Sequence, residues 1–449
     1  MFEISILIIG GIGGVAFIFL PARFKLLMAL CLCVVQLYIL PGPYDLSLAL
    51  VSCFLLIPEF VSNIKFLGQK RIILSLFLII VFSSASLLWS VQPSSGFREI
   101  LTFIQFMLIV SGVYHVTKNN GLRYMYSILN VMLILIAIEA VLIILFRLLP
   151  DLKLGLILSN TSRIFLGGNV LDSLLYEGQR NNFYDPIKSG GLFFINANAA
   201  GCYVGIASFL SYSIYKTTSK KITLLLGLIC YVSVFFTGSK ASALFAVGIP
   251  LFIYYLASSN KNKITIITSV LGCGAFLFFV VNIFNISMNS EFLTESTDTA
   301  DTRFGIWNYA WHAFVNNPII GQGYGGWQED YGRFFKTVYI YPPHNTIIYM
   351  WSKAGLMAAI LSCWFIFLTL KINWRGMFSI NQQLKYASIS GMMVSLWLML
   401  HGFGENFGLV GEQHQMPILA ISIGIVMALK NMTSSLNYNI SNTKRDENE

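Results

Sequence analysis

Tyr341, Pro342, Pro343, His344 and Asn345 stand directly before an apolar run that begins at Thr346. Proline cannot continue a helix but is tolerated where one begins, so the pattern predicts a helix with His344 at its N-terminus. There the free backbone N–H groups and the helix dipole disfavour imidazolium, leaving a neutral ring that can accept a proton. Of the five histidines, His344 is therefore the general-base candidate. A capping or interfacial role is the plain alternative for it, and His115, His312, His401 and His414 read as ordinary packed or interfacial side chains.

A second group of residues suits an anion. Thr302 can cap a helix that starts at Arg303 and stops at Asn316, Asn317 and Pro318, with Arg303, Trp307, Trp311 and Phe314 on one face. Such a segment lies flat at a lipid interface, and Arg303 in its first turn would add a planar guanidinium fork to free N–H groups. Anchoring to phospholipid headgroups is the alternative use of the same arginine. Arg333 and Lys336 follow in the same connection, and Lys240, in the reversal TGSKAS (237–242), offers a further cation or a side chain that snorkels to the headgroups. GQGYGG (321–326) follows a helix stop and no strand, so it reads as a turn that lets backbone approach closely, not as a nucleotide loop. Lys353 and Glu139 fall at hydrocarbon depth, each a possible partner for the other.

These groups must be held by membrane helices. The chain has 449 residues, 56% hydrophobic and 11% charged, far from the balance of a soluble domain. Thirteen apolar segments, near 4–20, 24–40, 46–62, 72–90, 99–116, 124–148, 191–215, 222–238, 241–257, 264–284, 345–370, 386–403 and 414–429, predict an all-α polytopic fold with 12 to 14 transmembrane helices. Stretches such as 72–89 are apolar on every face, which excludes a transmembrane barrel. Residues 1–430 form one transmembrane domain in this reading, and the polar tail 431–449 a disordered cytoplasmic end. The first segment has Glu3 before it and Arg23 and Lys25 after it, the reverse of a secretory leader. The seven cysteines lie in apolar runs without C-x-x-C spacing and read as small core residues.

Alternate connections carry 18 of the 29 Lys and Arg: Arg23 and Lys25; Lys65, Lys70 and Arg71; Lys118 and Arg123; Lys216, Lys220 and Lys221; Lys261 and Lys263; Lys371, Arg375 and Lys385; Lys430, Lys444 and Arg445. The positive-inside rule puts these in the cytoplasm, with the N-terminus outside and the C-terminus inside. The net charge of +9 is then mostly a matter of orientation, and no basic face is left for nucleic acid. Two long connections, about 149–190 and 285–343, fall on the outer side, where functional loops are to be sought.

RFGIWNYAWHAFVNNPIIGQGYGGW (303–327), PHNTIIYMWSKAG (343–355), GGLFFINANAAG (190–201) and TGSKAS together resemble blocks of the O-antigen ligase and polymerase superfamily, in order and in topology. The resemblance covers roughly residues 190–370. Lys240 stands where that family usually has Arg, and Lys353 where it often has an acidic residue. What the resemblance implies is a helical bundle of the type shared by lipid-linked sugar transferases, with short interfacial helices in a large periplasmic loop. It also implies a multi-pass protein of the bacterial inner membrane with its site on the periplasmic face. The implied donor is a glycan on undecaprenyl pyrophosphate. The acceptor is lipid A–core, which makes a ligase, or a second lipid-linked glycan, which makes a polymerase.

In that scheme His344 is the base, Arg303 and Lys240 stabilise the departing pyrophosphate, helped by Arg333 or Lys336, and Asn345, Trp307, Asn196 and Asn198 bind substrate. The reaction inverts the anomeric centre and uses neither metal nor cofactor. A transporter for an amphipathic lipid-linked substrate is the reading from another class, suggested by the many spans and by Glu139 and Lys353, although no inverted repeat is visible.

Overall fold

A computed structural model describes residues 19–40, 46–167, 170–172, 174, 183–257, 291–336 and 340–446. The segments expected at 4–20, apart from its last two residues, and at 264–284 lie outside them, as does Cys273. The described chain is helical apart from one antiparallel ribbon, β1 (Tyr38–Leu40) with β2 (Leu46–Ser47). The described helices of seven residues or more are, in order, α1 (Ala22–Val35), α2 (Leu48–Phe54), α3 (Ile57–Gly68), α4 (Arg71–Ser86), α5 (Pro93–Asn120), α6 (Leu122–Leu148), α7 (Pro150–Ile157), α8 (Ala197–Thr218), α9 (Lys221–Phe236) and α10 (Lys240–Ala257). After them come α11 (Glu291–Asn316), α12 (Gly326–Phe335), α13 (Thr346–Met377), α14 (Gln382–Gly402) and α15 (Met416–Asp446).

Six of these, or seven if the bent pair α2 and α3 counts as one span, are long and apolar enough to cross a membrane. The protein is thus an all-α polytopic membrane protein. The segment expected at 46–62 is that pair, bent by 62°, because Pro58 enters at the start of α3 and removes a helix hydrogen bond. The segment expected at 24–40 is shortened to α1, and its last residues join the ribbon ahead of Pro41-Gly42-Pro43. Helix α15 runs on to Asp446, where the polar composition from Asn431 predicts a disordered tail. Extending an existing helix costs far less than starting one.

Caps set the remaining boundaries. Asn381 Oδ1 accepts from Gln383 and Leu384 N–H at the start of α14, and Gly121 closes α5 at φ 86°. Helix α8 packs against α9 and α14, α15 lies along α5, and α13 along α4 and α14. Apolar area alone does not drive helices together in lipid, so close approach matters. Gly205 of α8 meets the fully buried Trp397 of α14, and a Cβ there would collide with the indole. Ser390 Oγ adds a bond to Phe209 O, 2.7 Å, across the same pair.

The bundle has two chemically different ends. The basic connections Lys118–Arg123, Lys216–Lys221 and Lys371–Lys385 close one end, where Tyr126 bonds Ser213 at 2.6 Å and Asn431 bonds Tyr114 at 2.9 Å. At the other end lie the C-terminus of α6, the N-termini of α8, α10 and α13, and the α14–α15 connection.

Candidate active site

The second end gathers polar groups that the sequence scatters over more than 200 residues, and Glu405, in the turn GFGENFG between α14 and α15, joins them. Asn198 Nδ2 donates to its Oε1 at 2.8 Å, and the Arg303 guanidinium reaches the same oxygen at 3.3 Å. His344 Nδ1 lies 3.9 Å from Oε2, inside ion-pair range should the ring be charged but too far for a hydrogen bond. The chain continues from Asn198 Oδ1 to Ser239 Oγ at 2.6 Å. Asn198 in the first turn of α8, α11, the entry to α13 and the GFGENFG turn therefore meet at one carboxylate, and the TGSKAS reversal joins them through Asn198.

Local chemistry explains how each arrives. Asn196 caps α8 by accepting from Asn198 N–H at 2.8 Å, which sets Asn198 in the first turn with its side chain towards Glu405. The loop ahead of it is held from α6: one Glu139 oxygen accepts from Phe193 N–H at 2.9 Å, and Ser189 Oγ bonds Ile143 O at 2.8 Å. Lys153 of α7 fastens the same loop, its ammonium bonded to the carbonyls of Phe183, Asp185 and Lys188. Ser189 N–H in turn bonds Thr237 O, which brings TGSKAS alongside, and Lys240 opens α10 directly after Ser239.

Helix α11 begins at Glu291, so Thr302 lies within it and Arg303 is not in its first turn. The free N–H groups and dipole end expected beside Arg303 are absent from that position, and its partner is a carboxylate instead. The helix stops at Asn316, ahead of Pro318, as the sequence predicts. Its inner face is Ile306, Tyr309, Ala310 and Ala313, while Phe304, Trp307, Trp311 and Val315 stay exposed, an apolar face suited to the lipid interface. Trp307 packs edge-on to Phe304.

His344 has φ 48°, a left-handed conformation that costs a residue with a Cβ on the order of 1–3 kcal/mol where the surroundings impose it. The neighbours impose it here. Pro343 precedes, Asn345 caps α13 by accepting from Ile347 and Ile348 N–H at 2.9 and 3.1 Å, and Thr346 Oγ1 bonds the carbonyls of Gly402 and Phe407. Burial, with the Arg303 charge adding to it, lowers the His344 pKa to about 4. A ring with that pKa is neutral at pH 7, through burial and the Arg303 charge and not through the helix dipole that the sequence suggests. Burial raises the Glu405 pKa, and Arg303, Asn198 and Lys188 oppose that shift. Burial and the Glu405 charge together raise Glu412 to about 7.

The other predicted residues fall differently. Arg333 pairs with Glu329 of its own helix α12 and its side chain is 72% exposed, and Lys336 ends that helix at φ 51°. Lys353 and Glu139 are not partners. Lys353 pairs with Glu99 of α5 at 2.6 Å, and Glu139 serves the loop as described above.

GQGYGG approaches other backbone: Tyr324 N–H bonds Ser90 Oγ, Gln92 N–H bonds Tyr324 O, and Gln322 N–H bonds Ser352 O. Gly321, at φ 69°, lies where a Cβ would strike the Trp351 carbonyl. The sequence reading missed Glu405, which lies beyond the blocks it quotes. The available signal was an acidic residue in a glycine-rich turn on the side that holds His344 and Arg303.

Chemically, the cluster offers a neutral imidazole beside a carboxylate, and a guanidinium with a third of its side-chain surface open. The first pair can take up and stabilise a proton, and the second can meet an anion.

Residues 223–363 match the family pattern described as O-antigen ligase. That stretch includes Ser239, Lys240, Arg303 and His344. An O-antigen ligase of Salmonella typhimurium strain LT2 is 31% identical over 106 residues, covering 20% of this chain and 26% of the relative. The chain thus spans about a quarter of the length of the curated relative it matches.

Proposed function

We propose, from a chain whose sequence supports the O-antigen ligase superfamily and a membrane O-antigen ligase-like function, that it moves a glycan from undecaprenyl pyrophosphate to a hydroxyl of lipid A–core. The observation that carries this reading is the meeting of Arg303, His344 and Glu405, from three separate connections, at the end of the bundle opposite the basic loops. The positive-inside rule puts that end on the non-cytoplasmic side, and the likeness to O-antigen ligases supports reading that side as the periplasm and the membrane as the bacterial inner membrane.

In the reaction the acceptor oxygen attacks the anomeric carbon as His344 takes the hydroxyl proton, which is general-base catalysis. The bond from that carbon to the pyrophosphate oxygen breaks, its electron pair leaves with undecaprenyl pyrophosphate, and a single displacement inverts the centre. Arg303 and Lys240 stabilise the charge that gathers on the leaving group, the part a metal plays in other transferases. With Nδ1 turned to Glu405, Nε2 is the atom that faces the acceptor, and Glu405 stabilises the imidazolium once it forms.

An imidazole of pKa about 4 is a weak base. A bound pyrophosphate offsets the Arg303 charge and so raises the pKa towards the working pH, joining donor binding to base strength. The sign of the pH dependence follows. In the free enzyme neutral His344 persists down to about its lowered pKa, so kcat/KM holds steady from pH 7 to near 5 and falls below that. The acid limb of kcat, set by the complex, lies at higher pH. Initial rates across pH 4 to 8 check this; a kcat limb at or below that of kcat/KM contradicts it.

The reading is tested with purified protein and donor in EDTA, with and without lipid A–core. Glycosylated lipid A–core formed only when that acceptor is present supports the ligase. Lengthening of the lipid-linked chain from donor alone makes the protein a polymerase using the same donor and site. Movement of the donor across a proteoliposome membrane without a new glycosidic bond makes it a transporter.

A further inference from the structure

Helix α13 is broken at Gly355, which has φ 82° and ψ −179° and where a Cβ would strike the Ile319 carbonyl oxygen and the Ile320 backbone of the loop. Residues 346–354 are therefore a short helical piece that carries His344 at its head and does not inherit its direction from the long span below. Its own contacts must fix it. Thr346 ties it to the GFGENFG turn, and Trp351 Nε1 and Ser352 O tie it to the 317–322 loop.

Besides the bond from Thr346 to Gly402 at the end of α14, the piece is held from the side by Glu99 of α5. One Glu99 oxygen takes Lys353 Nζ at 2.6 Å and Tyr349 O–H at 3.1 Å, two residues that i, i+4 spacing puts on one face. The ammonium also lies 3.6 Å from the Tyr349 ring centroid and 5.3 Å from that of Tyr324, whose ring packs on Gly96 of α5. Both charged side chains are close to buried, at 14% and 13% exposure. An ion pair so placed adds little stability over apolar side chains of similar size, so its contribution is in geometry.

We infer that Glu99 and Lys353 are positioning residues, which latch the 346–354 piece to α5 and so hold His344 in register with Glu405 and Arg303. The inference rests on the transfer reading for its kinetic consequence alone. The test is the double variant Glu99→Gln/Lys353→Met, which removes both charges together and leaves no buried charge unpaired. Expected are an unfolding midpoint close to wild type, KM within about twofold, and kcat lower by about tenfold to a hundredfold, the scale of a displacement near 1 Å at a reacting group.

Carbethoxylation of His344 by diethyl pyrocarbonate, followed by mass spectrometry, reads the same displacement without reference to transfer, and its rate is expected to rise severalfold in the variant. Unchanged kcat and unchanged reactivity overturn the inference, as does a collapse of the unfolding midpoint, which would make the pair structural. A wild type that transfers nothing, with His344 reactivity still altered by the double change, defeats the transfer reading and leaves the latch standing.

Discussion

His344→Gln is expected to lower kcat by about 10²–10⁴-fold, the range of a general base, with donor affinity and fold retained. Glutamine keeps a polar side chain of similar reach but cannot take up a proton at neutral pH. The fold should tolerate the exchange because the ring makes no hydrogen bond through Nδ1, and the caps of Asn345 and Thr346 at the helix entry do not involve it. The strained φ of 48° remains under either side chain. Single-turnover rates beside equilibrium binding of the donor lipid separate the two quantities. A variant within a few-fold of wild-type kcat would remove His344 from the chemistry.

Arg303→Lys, which keeps the charge, is expected to cost about 10²–10³-fold in kcat, as does loss of one preorganised donor to a developing anion. Arginine reaches Glu405 with one nitrogen and leaves the rest of its fork for the leaving group. A lysine ammonium is a point charge on a flexible stem and cannot keep both engagements in one geometry. A second consequence has the opposite sign. Moving the charge away relieves part of the depression of the His344 pKa, so the acid limb of kcat/KM should shift to higher pH in the variant. A drop in kcat with no shift in that limb would mean that Arg303 and His344 do not sense each other. Wild-type kcat would remove Arg303 from leaving-group stabilisation.

The membrane helices and the stop at Pro318 are legible in the sequence, because hydropathy and proline act locally, whereas the lowered pKa of His344 comes from burial and the Arg303 charge, which only the fold supplies. Pairings over long separations were not visible. Lys353 and Glu139 share a depth in the bilayer, but facing directions decide partners, and Lys353 looks to α5 while Glu139 looks to the loop before α8. Thr302 has the residue type of a cap, yet the chain ahead of it is already helical, so the dipole expected at Arg303 gives way to the Glu405 carboxylate. Glu405 itself gains its importance only through folding, since Asn198, Arg303 and His344 lie 207, 102 and 61 residues away in the chain. Asn198 illustrates the same point: its block marks it as polar in an apolar run, and only the fold shows it bridging Ser239 and Glu405.

The most direct measurement is the release of undecaprenyl pyrophosphate, quantified by mass spectrometry with purified protein, lipid-linked glycan and lipid A–core in EDTA. The account predicts one molecule released for each glycosylated acceptor by the wild type, and next to none by His344→Gln. Equal release by the variant, or glycosylated acceptor formed without it, would contradict the account.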